Sequence, residues 1–280
     1  MIGASPAIPA GPLPAMDRAD PGSTALRYLR LLGLYVHQHV LDALSWRGFM
    51  LTLVVNQAVT PLLGLAVWSA ALPGSRAVSA YYVALLAVQF MTVCYENVTF
   101  TQHITSGALA DRLLRPHPVV LYVLGGNCAW RIWHLLFGLP LVVGTALAAG
   151  VAFQPATVTV AIPAVVLAAA LRFLFTYVLA LTAIWIQRAG SVINFGNTLV
   201  FLLGGAAAPV ALFPDRLRPL GEALPFRAMH GFPAEIAAGS LGHAQIAAGY
   251  AWQLLWTTLF TLIAIAVWRA GVRRYTAVGG

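Results

Sequence analysis

No lysine occurs anywhere in the 280 residues. A GxxxxGK[ST] phosphate loop needs that lysine to reach the β- and γ-phosphates, so hydrolysis of nucleotide by this chain through such a loop is excluded. Charge of either sign is scarce: charged residues are 9% of the chain, where a soluble domain carries about 25%. So few charges cannot clothe a water-facing surface, and lipid must solvate most of the chain. Cysteine is limited to Cys94 and Cys128, both in or beside apolar stretches, which reads as buried free thiols rather than a disulfide. No HExxH or GxSxG motif occurs, and the seven histidines are scattered. His37-Gln-His39 is no metal site, because a helix sets those two rings about 200° apart.

What is present is apolar: hydrophobic residues are 60% of the chain. The formal charge of +8, from 16 arginines against 8 acids, then reads as the bias of membrane loops and not as a nucleic-acid surface. Residues 1–23, rich in Pro, Ala and Gly with no apolar run, are expected to form a disordered cytosolic tail and not a secretory signal. A membrane span needs about 20 mostly apolar residues. Six stretches qualify, at about 48–71, 80–101, 131–151, 158–187, 192–213 and 248–268. Val119 to Trp130 is either an interfacial lead-in helix or a long, tilted start to the third span. The expected fold is an all-α membrane protein with six transmembrane helices.

With both termini cytoplasmic, ten arginines lie inside (18, 27, 30, 47, 112, 115, 188, 269, 273, 274) and four outside (76, 216, 218, 227), the orientation that the positive-inside rule favours. Residues 24–46 differ from the spans. At about 100° per residue, Leu29, Leu32, Val36, Val40 and Ala43 share one face, with Arg27, Arg30, His37 and Asp42 opposite. This is an amphipathic helix suited to the inner interface and its anionic head groups.

Three segments can carry a mechanism. Ser106-Gly-Ala-Leu-Ala-Asp-Arg-Leu-Leu-Arg-Pro116 has an apolar side, a charged side and a proline stop, and Ser106 can cap a short helix there. It is either a docking element for a partner's groove or a solvated connector. The stretch Phe213 to Gly239 is too apolar for a free loop and too proline-broken for a span. Short helices re-entering the outer leaflet satisfy both facts, as a gate or a passive lid, with Phe213, Pro214, Leu224, Pro225, Phe226 and Pro233 as the gate candidates. Glu96, Arg131 and Arg172 are charges at membrane depth, where an ionisable group needs a partner, protein or water. Glu96 can pair with Arg131. Arg172 has no acid at its depth and either contacts a substrate or makes a structural bond. Asn56 and Gln57 read as interhelical hydrogen-bonding groups, and Gly204 to Ala208 as a helix-packing seam.

On those segments and on the closing Trp268-Arg-Ala-Gly-Val-Arg-Arg-Tyr-Thr-Ala-Val-Gly-Gly280, the chain resembles a permease subunit of the type-2 ATP-binding-cassette exporters, short six-span bacterial branch. The likeness runs from about residue 24 to the end. The loop departs from the family's pattern at Ala110, where such permeases often carry an acid; Asp111 is the acid beside that place. The resemblance implies a connecting helix before span 1 and a re-entrant element before span 6. It implies a coupling helix at 106–115, with Ser106, Gly107, Leu109, Asp111, Arg112, Leu113 and Arg115 as contacts to an ATP-binding-cassette ATPase. ATP and magnesium would sit on that partner and no cofactor on this chain. A second permease, related or identical, would complete the path in a bacterial plasma membrane, with lipid around it and no nucleic acid. The mostly apolar spans favour an amphiphilic, lipid-like or drug-like cargo. Two rivals are weaker: an ion-coupled transporter calls for midplane acids and inverted repeats, and a membrane-embedded enzyme calls for clustered His, Asp or Glu at an interface.

Overall fold

The computed structural model describes residues 21–186 and 189–275, and every regular element among them is a helix. Residues 1–20 of the expected tail and the last five residues of the closing motif lie outside the described residues. The helices are α1 (Pro21–Ser45), α2 (Arg47–Ala71), α3 (Arg76–Met91), α4 (Glu96–Thr105), α5 (Leu109–Leu113), α6 (Val119–Ala148), α7 (Pro155–Leu181), α8 (Ala189–Leu203), α9 (Arg218–Ala223), α10 (Pro225–Met229), α11 (Gly231–Ala237) and α12 (His243–Arg274).

Five units are long and apolar enough to cross a membrane: α2, the α3–α4 pair, α6, α7 with its short 3-10 extension, and α12. The fifth predicted span is shorter than expected. α8 stops at Leu203 and rises about 22 Å at about 1.5 Å per residue, under the roughly 30 Å of a hydrocarbon core. Gly204 to Ala208 is therefore not part of a helical seam. Gly205 is left-handed at φ +90, a conformation open to glycine at no steric cost. The turned backbone lies against α2 and α3, where Tyr81 Oη donates to the Gly205 carbonyl at 2.8 Å and Trp68 Nε1 to that of Ala207 at 3.0 Å.

Val119 to Trp130 belongs to α6, one helix of 30 residues entered through Pro118. α1 packs along this N-terminal part of α6. Its stripe is Leu32, Tyr35, Val36, His39, Val40 and Ala43, at helical spacing, while Leu29 of the predicted face is 65% exposed. Arg27, Arg30, His37 and Asp42 are exposed on other sides, as expected. The close fit depends on Gly125 and Gly126 of α6: a Cβ on Gly125 would come within 2.5 Å of Tyr35 Cβ.

Candidate functional site

The elbow between α4 and α6 is built from one glycine and one leucine. Gly107 sits at φ +83, ends α4 and re-aims the chain. Ser106 thereby falls at the C-terminal cap of α4, while Ala108 occupies the start of α5 with no side-chain cap bond. The expected Ser106 cap is not formed. α5 has only five residues, too few to be stable alone, so tertiary contacts must hold it. Leu109 supplies them. It is 0% exposed in an apolar cluster with Phe100, Ile104, Val123, Tyr177, Leu181 and Ala264, which joins the ends of α4, α6, α7 and α12. Tyr275 closes the cluster, its Oη reaching the Ile104 carbonyl at 3.5 Å.

The other elbow residues divide by direction. Arg112 turns inward, its Cζ 3.1 Å above the Tyr122 ring of α6, a cation–π contact. Tyr122 Oη lies 3.2 Å from His103 Nε2, and Tyr35 Oη of α1 lies 3.0 Å from His117 Nε2. Leu113 is half-buried against the cluster. Ser106, Asp111 and Arg115 face outward, and Leu114 is 85% exposed. The sequence puts Leu109, Leu113 and Leu114 together on the apolar side of the segment, and periodicity alone does not say which of the three faces the core. Leu114 thus stands bare beside the exposed Asp111 and Arg115.

Glu96 and Arg131 are brought together around one feature, but they do not pair with each other. The helix through α3 and α4 is interrupted at Thr92–Tyr95, although no proline or glycine marks the break. Backbone groups freed at membrane depth must be satisfied by protein, and α6 provides the donors. Arg131 donates from Nε to the Val93 carbonyl at 3.3 Å and from Nη2 to the Ala169 carbonyl of α7 at 2.7 Å. Asn127 Nδ2 reaches the Val93 carbonyl at 3.2 Å and Glu96 Oε1 at 2.6 Å. Glu96 opens α4, where the helix dipole favours an anion, and its Oε2 accepts from Thr176 Oγ1 at 3.0 Å. Glu96 also lies at the floor of a cleft of about 720 Å³ between α1, α4 and α6 whose rim includes Gln102 and Ser106.

Arg172 stands apart. Its Nη2 donates to Asn197 Oδ1 of α8 at 3.4 Å, and its Nη1 is buried with no partner. Asn56 and Gln57 of α2 line the same small pocket, and no hydrogen bond of theirs to another helix appears among the described residues.

The broken segment after α8 separates into two halves. Phe213, Pro214 and α9 lie outermost and largely exposed, whereas Leu224, Pro225, Phe226 and Pro233 belong to a turn of helix, α10 and α11, packed into the interior. Phe226 meets Phe175 of α7 edge-on, with ring centroids 5.9 Å apart. Gln253 of α12, fully buried, donates to the carbonyls of Ala164 on α7 and Ala228 on α10 at 2.8 and 2.9 Å. Arg227 and Glu235 form an ion pair between α10 and α11. The six predicted gate residues thus do not form one patch.

This architecture is that of a multi-pass helical membrane protein with a small surface elbow seated on the ends of its helices. The sequence model of the family described as ABC-2 family transporter protein matches residues 74–279. The chain belongs to that family, and it is the membrane permease subunit of an ABC transporter, a class whose permeases associate with ATP-binding-cassette ATPase subunits. No curated protein matches it.

Proposed function

We propose that this permease is half of an ATP-driven exporter for amphiphilic molecules in a bacterial plasma membrane, with both termini cytoplasmic. In this reading α8 with the turn after it is the fifth of six spans, α9–α11 re-enter the membrane from the outside, and a second permease, identical or related, completes the path. ATP closing the partner ATPases on each other moves the elbow, and rigid-body rotation of the helices changes the side to which the path opens. The observation that carries the reading is the two-sided elbow: Asp111, Leu114 and Arg115 outward, Leu109 locked into a cluster shared by α4 and the long helices α6, α7 and α12. A force applied outside is delivered to all four, because a close-packed core transmits displacement instead of absorbing it. Glu96 has both carboxylate oxygens bonded, which disfavours a shuttling carboxylate and so the ion-coupled alternative.

The test is affinity purification from native membranes. Wild-type protein is expected to bring an ATPase subunit with it. The combined change of Asp111, Leu114 and Arg115 to alanine is expected to cut that recovery by about tenfold, or about 1.4 kcal/mol of interface energy, without altering the melting temperature. Undiminished recovery would remove the elbow from the coupling path.

A further inference from the structure

We infer that the pocket around Arg172 is an anion site that takes the carboxylate or phosphate head group of an amphiphile. The pocket lies near the middle of α2 and is lined by Asn56, Gln57 and Thr60 of that helix, Gln89 of α3, Arg172 of α7, Asn197 of α8 and His230 between α10 and α11. No acidic side chain lines it. Among the described residues the ion pairs are Arg218–Asp215 and Arg227–Glu235; Arg172 is in neither, and the one acid whose charge reaches it, Glu96, lies outside the pocket. A cation at membrane depth is costly unless an opposite charge or water meets it. Arg172 presents a buried, unpartnered Nη1, and His230, 6% exposed, presents a buried, unpartnered Nδ1. Both are donor-capable groups bordering one space, and the side chains of Asn56, Gln57, Gln89 and Asn197 beside them carry amide groups that can also donate to anionic oxygens.

Size and surroundings set the ligand class. The pocket holds about 140 Å³, room for four or five waters at about 30 Å³ each. That suits a carboxylate or phosphate. The flanking surfaces are bare and apolar: Val55, Val59 and Leu63 on α2, Phe195 and Phe201 on α8. An anionic head can seat on Arg172 while its chain lies along these two helices. Calling the ligand a cargo rests on the transport reading above; the anion site itself does not.

The experiment uses full-length protein in phosphatidylcholine nanodiscs, without nucleotide or ATPase, titrated with dodecyl phosphate, dodecanoate and dodecanol and corrected against empty discs. Both anions, or one of them, are expected to bind above the alcohol, and the tighter one names the head group. Arg172→Gln is expected to weaken anion binding by about tenfold or more, as loss of a charge-assisted contact does. Asn56→Leu, on an exposed position of α2, is expected to weaken it severalfold with unchanged melting, and it carries the test if Arg172→Gln does not fold. Dodecanol binding as tightly as the anions would overturn the inference, as would wild-type affinity in both variants. An acid from a partner permease filling the pocket in the native assembly would appear as no anion binding to protein purified with that partner, and it would count against the inference too. Because the readout needs no ATPase, a failed anion site leaves the elbow's coupling role standing, and a failed pull-down leaves the anion site standing.

Discussion

Replacing Glu235 by alanine is expected to be among the most damaging single changes in the molecule. The side chains of Arg227 and Glu235 are 14% and 6% exposed, and both belong to the short helices α10 and α11, which have little intrinsic stability of their own. Removing the carboxylate leaves a guanidinium enclosed with no counter-charge. The cost of breaking a buried pair in this way is about 3–5 kcal/mol, a large share of a typical stability of about 5–15 kcal/mol. Arg227→Met combined with Glu235→Leu removes both charges and is expected to recover most of the loss, because the penalty lies in the uncompensated charge. Thermal melting of the purified protein in detergent separates the two. A large drop for the single variant and near-recovery for the double supports a structural clasp; equal drops for both would instead assign the pair a role that hydrophobic packing cannot replace.

A second large effect is expected at the seam between α1 and α6. At Gly125 an added Cβ would stand 2.5 Å from Tyr35 Cβ, 3.2 Å from the Tyr35 carbonyl carbon and 3.3 Å from the Val36 nitrogen. The last two are backbone atoms, which cannot rotate aside as a side-chain tip can. Gly125→Leu must therefore lift α1 off α6, at a cost of about 1–3 kcal/mol for overpacking or the loss of the docked state altogether. Because α1 also holds His117 through Tyr35, the elbow loses a brace when α1 leaves. Hydrogen exchange over residues 24–45 is expected to accelerate strongly in this variant. Gly144→Leu, on the same helix with nothing within 4 Å of the added Cβ, is expected to leave α1 protected. Equal protection in both variants would show that α1 does not depend on this contact.

The parts of the fold that were legible in the sequence are those set by solvent. Charge-free runs such as Arg47 to Arg76 must be long helices, since lipid leaves the backbone no other partner, and α2, α6, α7 and α12 follow. Proline also marked places correctly: Pro116 and Pro118 bound the elbow, and Pro225 opens α10. What could not be read was set by contacts distant in sequence. The break at Thr92–Tyr95 has no local signature, because its polar groups are satisfied by Asn127 and Arg131 more than thirty residues away. The acid Glu96 and the base Arg131 invited a direct pair, yet Glu96 bonds Asn127 and Thr176 while Arg131 bonds the Val93 and Ala169 carbonyls. Gly204 to Ala208 has the composition of a helix seam and becomes a turn because two tyrosines and a tryptophan donate to its carbonyls. In the elbow, composition identified the segment, but only packing assigns Leu109 to the core and Leu114 to the surface.

Photo-crosslinking from position 114 in native membranes tests most directly the proposal that the permease is driven through the outward face of its elbow, with position 55 on the bare face of α2 as the reference. The account predicts that the main adduct from position 114 contains an ATP-binding-cassette ATPase and that the adduct from position 55 does not. An elbow that captures only lipid or water, with any ATPase captured from position 55 instead, would contradict it.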